Sequence, residues 1–296
     1  MASAIAPNTE QFSVPYLTIN EFKSAPTAID YDNLVVGGNQ AAQDAELTNA
    51  ITRASSWIDQ HCNQILGATQ DTEQQRGRIK SDGTIRFHPK YNPIIALNSF
   101  AYGTDPNSLV TATDPSKAWL EEGEVIFPYA SLTASYSNQG PLQFGMPSTP
   151  GREIFLRYNY VNGYANSTIA SATAAATSLT VTNATGIVAG QSLKIYDGLY
   201  SENVTVDTSY TFGSTTVPLT STLAYTHTAG VAISAMPAAI KQAAILVTTA
   251  FLKVRGDNSL VMDISTRGSE AGAAARNIAS DLSLAEDLLK PFRRIR

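Results

Sequence analysis

The sequence predicts an α+β fold: a helical-bundle core, a β-rich region beside it, and a small all-β domain, sandwich- or barrel-like, inserted into the chain. Three observations carry this. Long apolar stripes with steps of three and four residues mark helices at about 44–66 and 237–255. Alternating β-branched and aromatic segments fill residues 84–164. Residues 166–236 are almost free of charge and rich in Thr and Ala, a composition break expected of an independent insert. The expected organisation is therefore residues 1–165 plus 237–296 as a core and 166–236 as the inserted domain.

Each element has a local reason. Thr18 and Glu21 have capping-box spacing and open a short helix, about 18–25, that Pro26 ends. From Asp44 to Leu66 the apolar set is Leu47, Ala50, Ile51, Ala54, Trp57, Ile58, Cys62 and Ile65, with Gly67 placed as a helix C-cap. Strands are expected at Thr84–His88, Ile95–Tyr102, Ala118–Phe127 and Glu153–Tyr160. Glu121, Glu122 and Glu124 beside Gly123 read as a solvated hairpin turn rather than a cation site. A long Pro- and Gly-rich loop covers 129–151.

Within the insert, strands are expected at Ser178–Thr182, Ser192–Tyr196, Asn203–Asp207, Thr215–Thr220 and Val231–Ala235. Pro237 suits the first turn of the next helix, whose face is Ile240, Ala244, Val247, Phe251 and Val254. Asp257–Ala279 reads as irregular. Ser283 and Glu286 again have capping-box spacing, so a last short helix is expected at 283–290, stopped by Pro291. Leu288, Leu289 and Phe292 form its greasy edge, and Arg293, Arg294 and Arg296 follow.

The 296 residues carry a formal net charge of −5. That balance argues against a protein whose main work is gripping nucleic acid, since phosphate affinity comes mostly from Lys and Arg. Cys62 is the single cysteine, which excludes an intramolecular disulfide and a Cys-based metal site. The opening MASAIAPNTEQF has no basic-then-apolar segment, so no secretory leader is expected. The greasy run 243–252 falls far short of the ~20 residues a membrane span needs. His61, His88 and His227 lie on different elements, so neither acid–base catalysis nor a metal site is expected from them. Adjacent His61 and Cys62 point to different sides of a helix. Asp197-Gly198 reads as a turn, its neighbours supplying too few oxygens for calcium. No catalytic, cofactor or metal residues are expected, and no cofactor.

Without residues 166–236 the flanks join as EIFLRYNYVNGY and PAAIKQAAILVTTAFLKVRG. These blocks, with LTINEFK, DAELTNAITRASSWIDQHCNQ and LLKPFRR in this order and spacing, resemble the head–tail connector (adaptor) proteins of long-tailed bacteriophages. The likeness spans residues 17–66, 153–164, 237–256 and 283–294; the insert is the departure from it. The resemblance implies a mainly helical, non-enzymatic virion protein of the neck. It also implies a homo-oligomeric ring of roughly twelve copies, closed by head-to-tail contacts. Its implied partners are the portal protein and a stopper or tail-terminator protein, with double-stranded DNA passing through without sequence-specific binding, and no membrane. Leu288, Leu289, Phe292, Arg293, Arg294 and Arg296 are then expected to dock on the portal, and Trp57, Ile58 and Phe251 to pack in the ring. The alternative is a tail-completion or baseplate protein. A further reading gives the insert a carbohydrate-binding role through Tyr196, Tyr200, Tyr210 and Tyr225.

Overall fold

The computed structural model describes residues 15–27, 29–32, 34–112, 114–121, 123–128, 153–254 and 270–294. The expected loop at 129–151 and Arg296 lie outside these residues. The described residues divide into two compact units: those within 68–163, and those within 15–67 together with those from 164 onward.

The helical-bundle core expected from the sequence is not what the chain builds. The fold is mostly β, with thirteen strands and four α-helices among the described residues. The first unit is one antiparallel sheet of seven strands: β1 (Thr69–Ile79), β2 (Thr84–Phe87), β3 (Ile94–Asp105), β4 (Ser108–Thr111), β5 (Trp119–Glu121), β6 (Glu124–Pro128) and β7 (Glu153–Asn162), in the order β4-β3-β7-β1-β2-β6-β5. Its inner face gathers Ile85, Phe87, Phe100, Tyr102, Phe127, Leu156, Tyr158 and Tyr160 in one core. Phe100 and Phe127 stack with ring centroids 4.8 Å apart. Their strands stand four places apart in the sheet, roughly 19 Å if it were flat at ~4.8 Å per strand. The sheet therefore curls until its own face closes over itself, which is how a single layer buries its aromatics without a covering helix.

The centre of this sheet, β1, runs through a stretch whose sequence pattern signals no strand. Its inward positions are polar at one end (Thr69, Asp71, Glu73, Gln75), so the hydrophobic alternation is missing. Partners replace it. Asp71 accepts from the Thr69 hydroxyl at 3.1 Å and the Asn162 amide at 2.6 Å, while Glu73 accepts from the Tyr158 and Tyr160 hydroxyls at 2.8 and 2.5 Å. Glu121 and Glu124 face each other across the β5–β6 turn, where Gly123 has φ +80°; this is the expected hairpin, with Glu122 outside the described residues.

In the second unit, α1 (Ile19–Ser24) carries the expected capping box. Helix α2 (Gln40–Cys62) starts and ends four residues earlier than its apolar pattern suggests. Asn39 accepts the Ala42 amide at 3.0 Å at one end. At the other, Asn63 takes the left-handed conformation, φ 55°, that was expected of Gly67. Helix α3 (Ala238–Val254) buries Ile240, Ala243, Ala244, Val247 and Ala250.

Helix α4 (Glu270–Leu289) corrects the reading of 257–279 as irregular over its last ten residues. Ser283 lies inside this helix and is exposed, so no capping box forms there. Alanine's high helix propensity carries the helix through EAGAAARNIAS, and Ala285 and Leu289 anchor it. Helix α4 ends at Leu289 and passes into a 3₁₀ turn at Lys290–Phe292, which contains Pro291.

The insert builds β8 (Asn166–Thr168), β9 (Ser178–Thr180), β10 (Ser192–Tyr196), β11 (Glu202–Thr205), β12 (Thr216–Pro218) and β13 (Ala232–Ser234). They form a four-stranded sheet, β11-β10-β13-β8, and a β12-β9 pair around a core of its own that includes Ile169, Leu179, Ile195, Val206 and Val217. Its two ends meet: the Ala235 amide donates to the Ala165 carbonyl at 2.9 Å.

Candidate functional site

Three of the four stretches singled out in the sequence converge on one core in the second unit, joined by Tyr164 from the fourth, whose residues 153–162 form β7 of the sheet. Leu17 just before α1, Phe22 from α1, Leu47 to Cys62 from α2, Ile240 to Leu252 from α3 and Ala285 and Leu289 from α4 pack together, with Tyr164, Leu288 and Phe292 against the cluster.

The terminal hook is spent inside this core. Leu289 is fully buried and Leu288 and Phe292 partly so. Phe292 meets Tyr164 edge-on at 6.2 Å. The Gln64 amide donates to the Phe292 carbonyl at 2.9 Å, and the Arg294 amide to the Cys62 carbonyl at 2.9 Å. The second bond takes up the Cys62 carbonyl at the C-terminal end of α2, which no helical amide reaches, and together the two fasten the 3₁₀ turn after α4 to the end of α2. Of the residues expected to dock on a portal, Arg293 is exposed and Arg294 half-buried. Of those expected in ring packing, Ile58 is core, and Trp57 and Phe251 lie half-buried against it.

Two ionisable centres hold the unit together. At the first, the Tyr16 hydroxyl donates to Asp59 and accepts from the Leu66 and Gly67 amides at 2.9 and 3.2 Å. Burial raises the Asp59 carboxyl to about 7, against the opposing hydrogen bonds from Tyr16 and Leu66. Burial foremost, and then Asp59, also pushes the Cys62 thiol up to about 12, which leaves it a protonated core residue at neutral pH. His61 stacks on Trp57 at 5.2 Å rather than addressing that thiol.

A carboxyl raised in the folded state favours folding where it is protonated in both states and loses that contribution as pH climbs. The contribution of Asp59 is full below about pH 4 and falls away between about 4 and 7. Asp59→Asn keeps an acceptor for Tyr16 and removes the titration. Thermal melts are expected to coincide for the two proteins at about pH 4 and to favour the variant by several degrees at pH 8. A constant offset between the two across that range would refute this.

The second centre is Lys241, buried on α3. Its ammonium donates to the Tyr16 carbonyl at 2.7 Å, Glu21 Oε1 at 2.8 Å and Asn166 Oδ1 at 3.3 Å, and lies 4.8 Å above the Tyr196 ring. Burial pulls the ammonium below its usual range while Glu21 opposes the shift. Glu21 Oε2 meanwhile accepts the Thr18 amide, so one carboxylate caps α1 and neutralises α3. Sequence reading found the cap but not the ion pair, because 220 residues separate the partners.

In the insert, His227 is buried between Asp197 and Glu202. Each ring nitrogen is 2.8 Å from a carboxylate oxygen, and both contacts are hydrogen bonds when each nitrogen carries a hydrogen. Burial by itself raises Glu202, but the Ala224 and Tyr225 amides and His227 outweigh it and hold the carboxyl below its usual range. The cluster ties the Asp197–Glu202 loop to the segment before β13. No group of three or more His, Cys, Asp or Glu side chains among the described residues is arranged so that it could hold a metal ion.

The four tyrosines considered for carbohydrate binding are not one platform. Tyr210 is buried and Tyr196 lies under Lys241; only Tyr200 and Tyr225 are exposed, with rings inclined at 55°. The described helices include none long and apolar enough to cross a membrane. No family model, no curated protein and no solved structure matches the chain.

Proposed function

We propose that this chain is a structural subunit of a bacteriophage neck: a head-to-tail connector that docks on the portal, repeats as a ring of roughly twelve copies and passes DNA toward a stopper or tail-terminator protein. One observation carries the reading. Three of the four stretches that resemble connector proteins, with Tyr164 from the fourth, pack into a single core, while residues 153–162 form β7 of the seven-stranded sheet; the insert begins and ends beside that core, where the Ala235 amide donates to the Ala165 carbonyl. A core with a module set into it, rather than several unrelated segments, is what the resemblance requires. The subunit is β-rich, so its ring surfaces need not be helical.

With Leu289 and Phe292 engaged internally, the outward part of the terminal segment is basic. Arg293→Glu is expected to leave the melting temperature unchanged and to lower co-sedimentation with portal-bearing particles about tenfold, since rim charges steer and orient association. Unaltered co-sedimentation would remove this residue from the portal contact. Copy number tests the reading as a whole: electron microscopy of particles containing this chain should place about twelve copies at the neck, whereas rings of about three or six within the tail support the tail-completion alternative.

A further inference from the structure

Every large apolar side chain that the seven-stranded sheet leaves exposed, among the described residues, sits on one of its two edge strands. Val110 on β4 is 37 % exposed, and Trp119 and Leu120 on β5 are each 45 % exposed. Among the described residues each of these strands has a hydrogen-bonded neighbour on one side only: β3 for β4 and β6 for β5. Open edges in natural sheets are commonly guarded by lysine, proline or an inward-pointing charge. Ser-Leu-Val-Thr on β4 and Trp-Leu-Glu on β5 have no Lys or Pro. Beside Leu120 lies a hollow of about 450 Å³ that His88, Pro93 and Ile94 also line.

We propose that β5 is a strand-addition site for a second copy of this chain, which presents its β4 edge to it. Each chain carries one edge of each kind, so a copy supplies the strand that its neighbour lacks. Because the two edges differ, the contact is heterologous: it propagates from subunit to subunit instead of stopping at a dimer, and it closes when the rotation allows. Strand addition supplies main-chain hydrogen bonds along the edge, and Val110, Trp119 and Leu120 become covered. The edges are three and four residues long. A single contact of that length buries on the order of a few hundred Å², below the ~1,000 Å² of a stable isolated pair. The free chain is accordingly a weak self-associator, and the contact persists when each subunit is held on both sides in a closed ring. This inference rests on the ring reading and names the surface that forms the ring.

The test uses cysteines placed at the middle of each edge. Cys62 is buried and does not compete. Full-length Val110→Cys and Leu120→Cys proteins are mixed at high concentration under mild oxidation. Mixed disulfide dimers are expected only when both are present, and the double variant is expected to give a ladder of multimers. Trp119→Lys in the Leu120→Cys protein should retain the circular-dichroism melt and lower the yield of mixed dimers about tenfold. Dimers of Leu120→Cys alone overturn the head-to-tail arrangement. Particles that show a neck ring but no disulfide ladder from the double variant overturn this edge contact and leave the connector reading standing. Absence of both ring and ladder overturns the two together.

Discussion

Glu21→Ala is expected to destabilise the helical unit by about 3–5 kcal/mol, because it strands an ammonium in the interior. Lys241 would then face only the Tyr16 carbonyl, Asn166 and the Tyr196 ring, none of which carries a compensating charge. The lost capping box adds about 1 kcal/mol. Removing both charges is a different matter: Glu21→Ala with Lys241→Met should recover a large part of the loss, since the desolvation cost disappears along with the attraction. Urea unfolding followed by Trp57 fluorescence in a Trp119→Phe background reads this unit alone, because the chain has one tryptophan in each unit. A double variant no more stable than Glu21→Ala would show that the pair's worth lies in packing rather than in charge.

The second large effect belongs to the curled sheet. Phe100 is fully buried and stacks on Phe87 at 5.4 Å and Phe127 at 4.8 Å. Phe100→Ala removes the ring through which distant strands of one sheet touch, and is expected to cost about 3–5 kcal/mol. Trp119 fluorescence in a Trp57→Phe background should record the shift, while Trp57 in the complementary background should report an unchanged helical unit. Equal shifts from both reporters would mean that the two units unfold as one.

What the sequence disclosed follows from where periodicity survives. Helices α2 and α3 keep three- and four-residue apolar steps, and most of their buried apolar residues were legible, though not the buried Gln43, Ser55, Lys241, Thr248 and Thr249 among them. Helix α1 announced itself by its capping box. Strands β9 to β12 alternate because each has one face in the insert's core, whereas β13 is buried throughout. The misreadings share a cause: side chains whose partners are remote in the chain. Strand β1 conceals its register behind Asp71 and Glu73, whose hydrogen bonds come from β7. The Ser283–Glu286 spacing imitated a helix start because local pattern cannot tell a cap from a helix interior. The terminal apolar edge read as a peg for another protein, while the end of α2 and Tyr164, more than a hundred residues earlier, were waiting for it. Helical stripes were the loudest signals, and they concealed how much of the chain is sheet. His227 with Asp197 and Glu202 shows the same limit: three polar residues in separate turns give no motif.

The bond between Ala165 and Ala235 has a consequence for how such a chain can vary. A detour of some seventy residues that begins and ends at one point adds almost nothing to the closure cost of the fold around it, since that cost grows only with the logarithm of length. Another compact module with closely spaced termini could be substituted at this junction, with Tyr164 still delivered to the start of α3, provided it replaces the acceptor and ring that Asn166 and Tyr196 give the buried Lys241. The junction is therefore a socket: what is plugged in there can change while the helices around it keep their places.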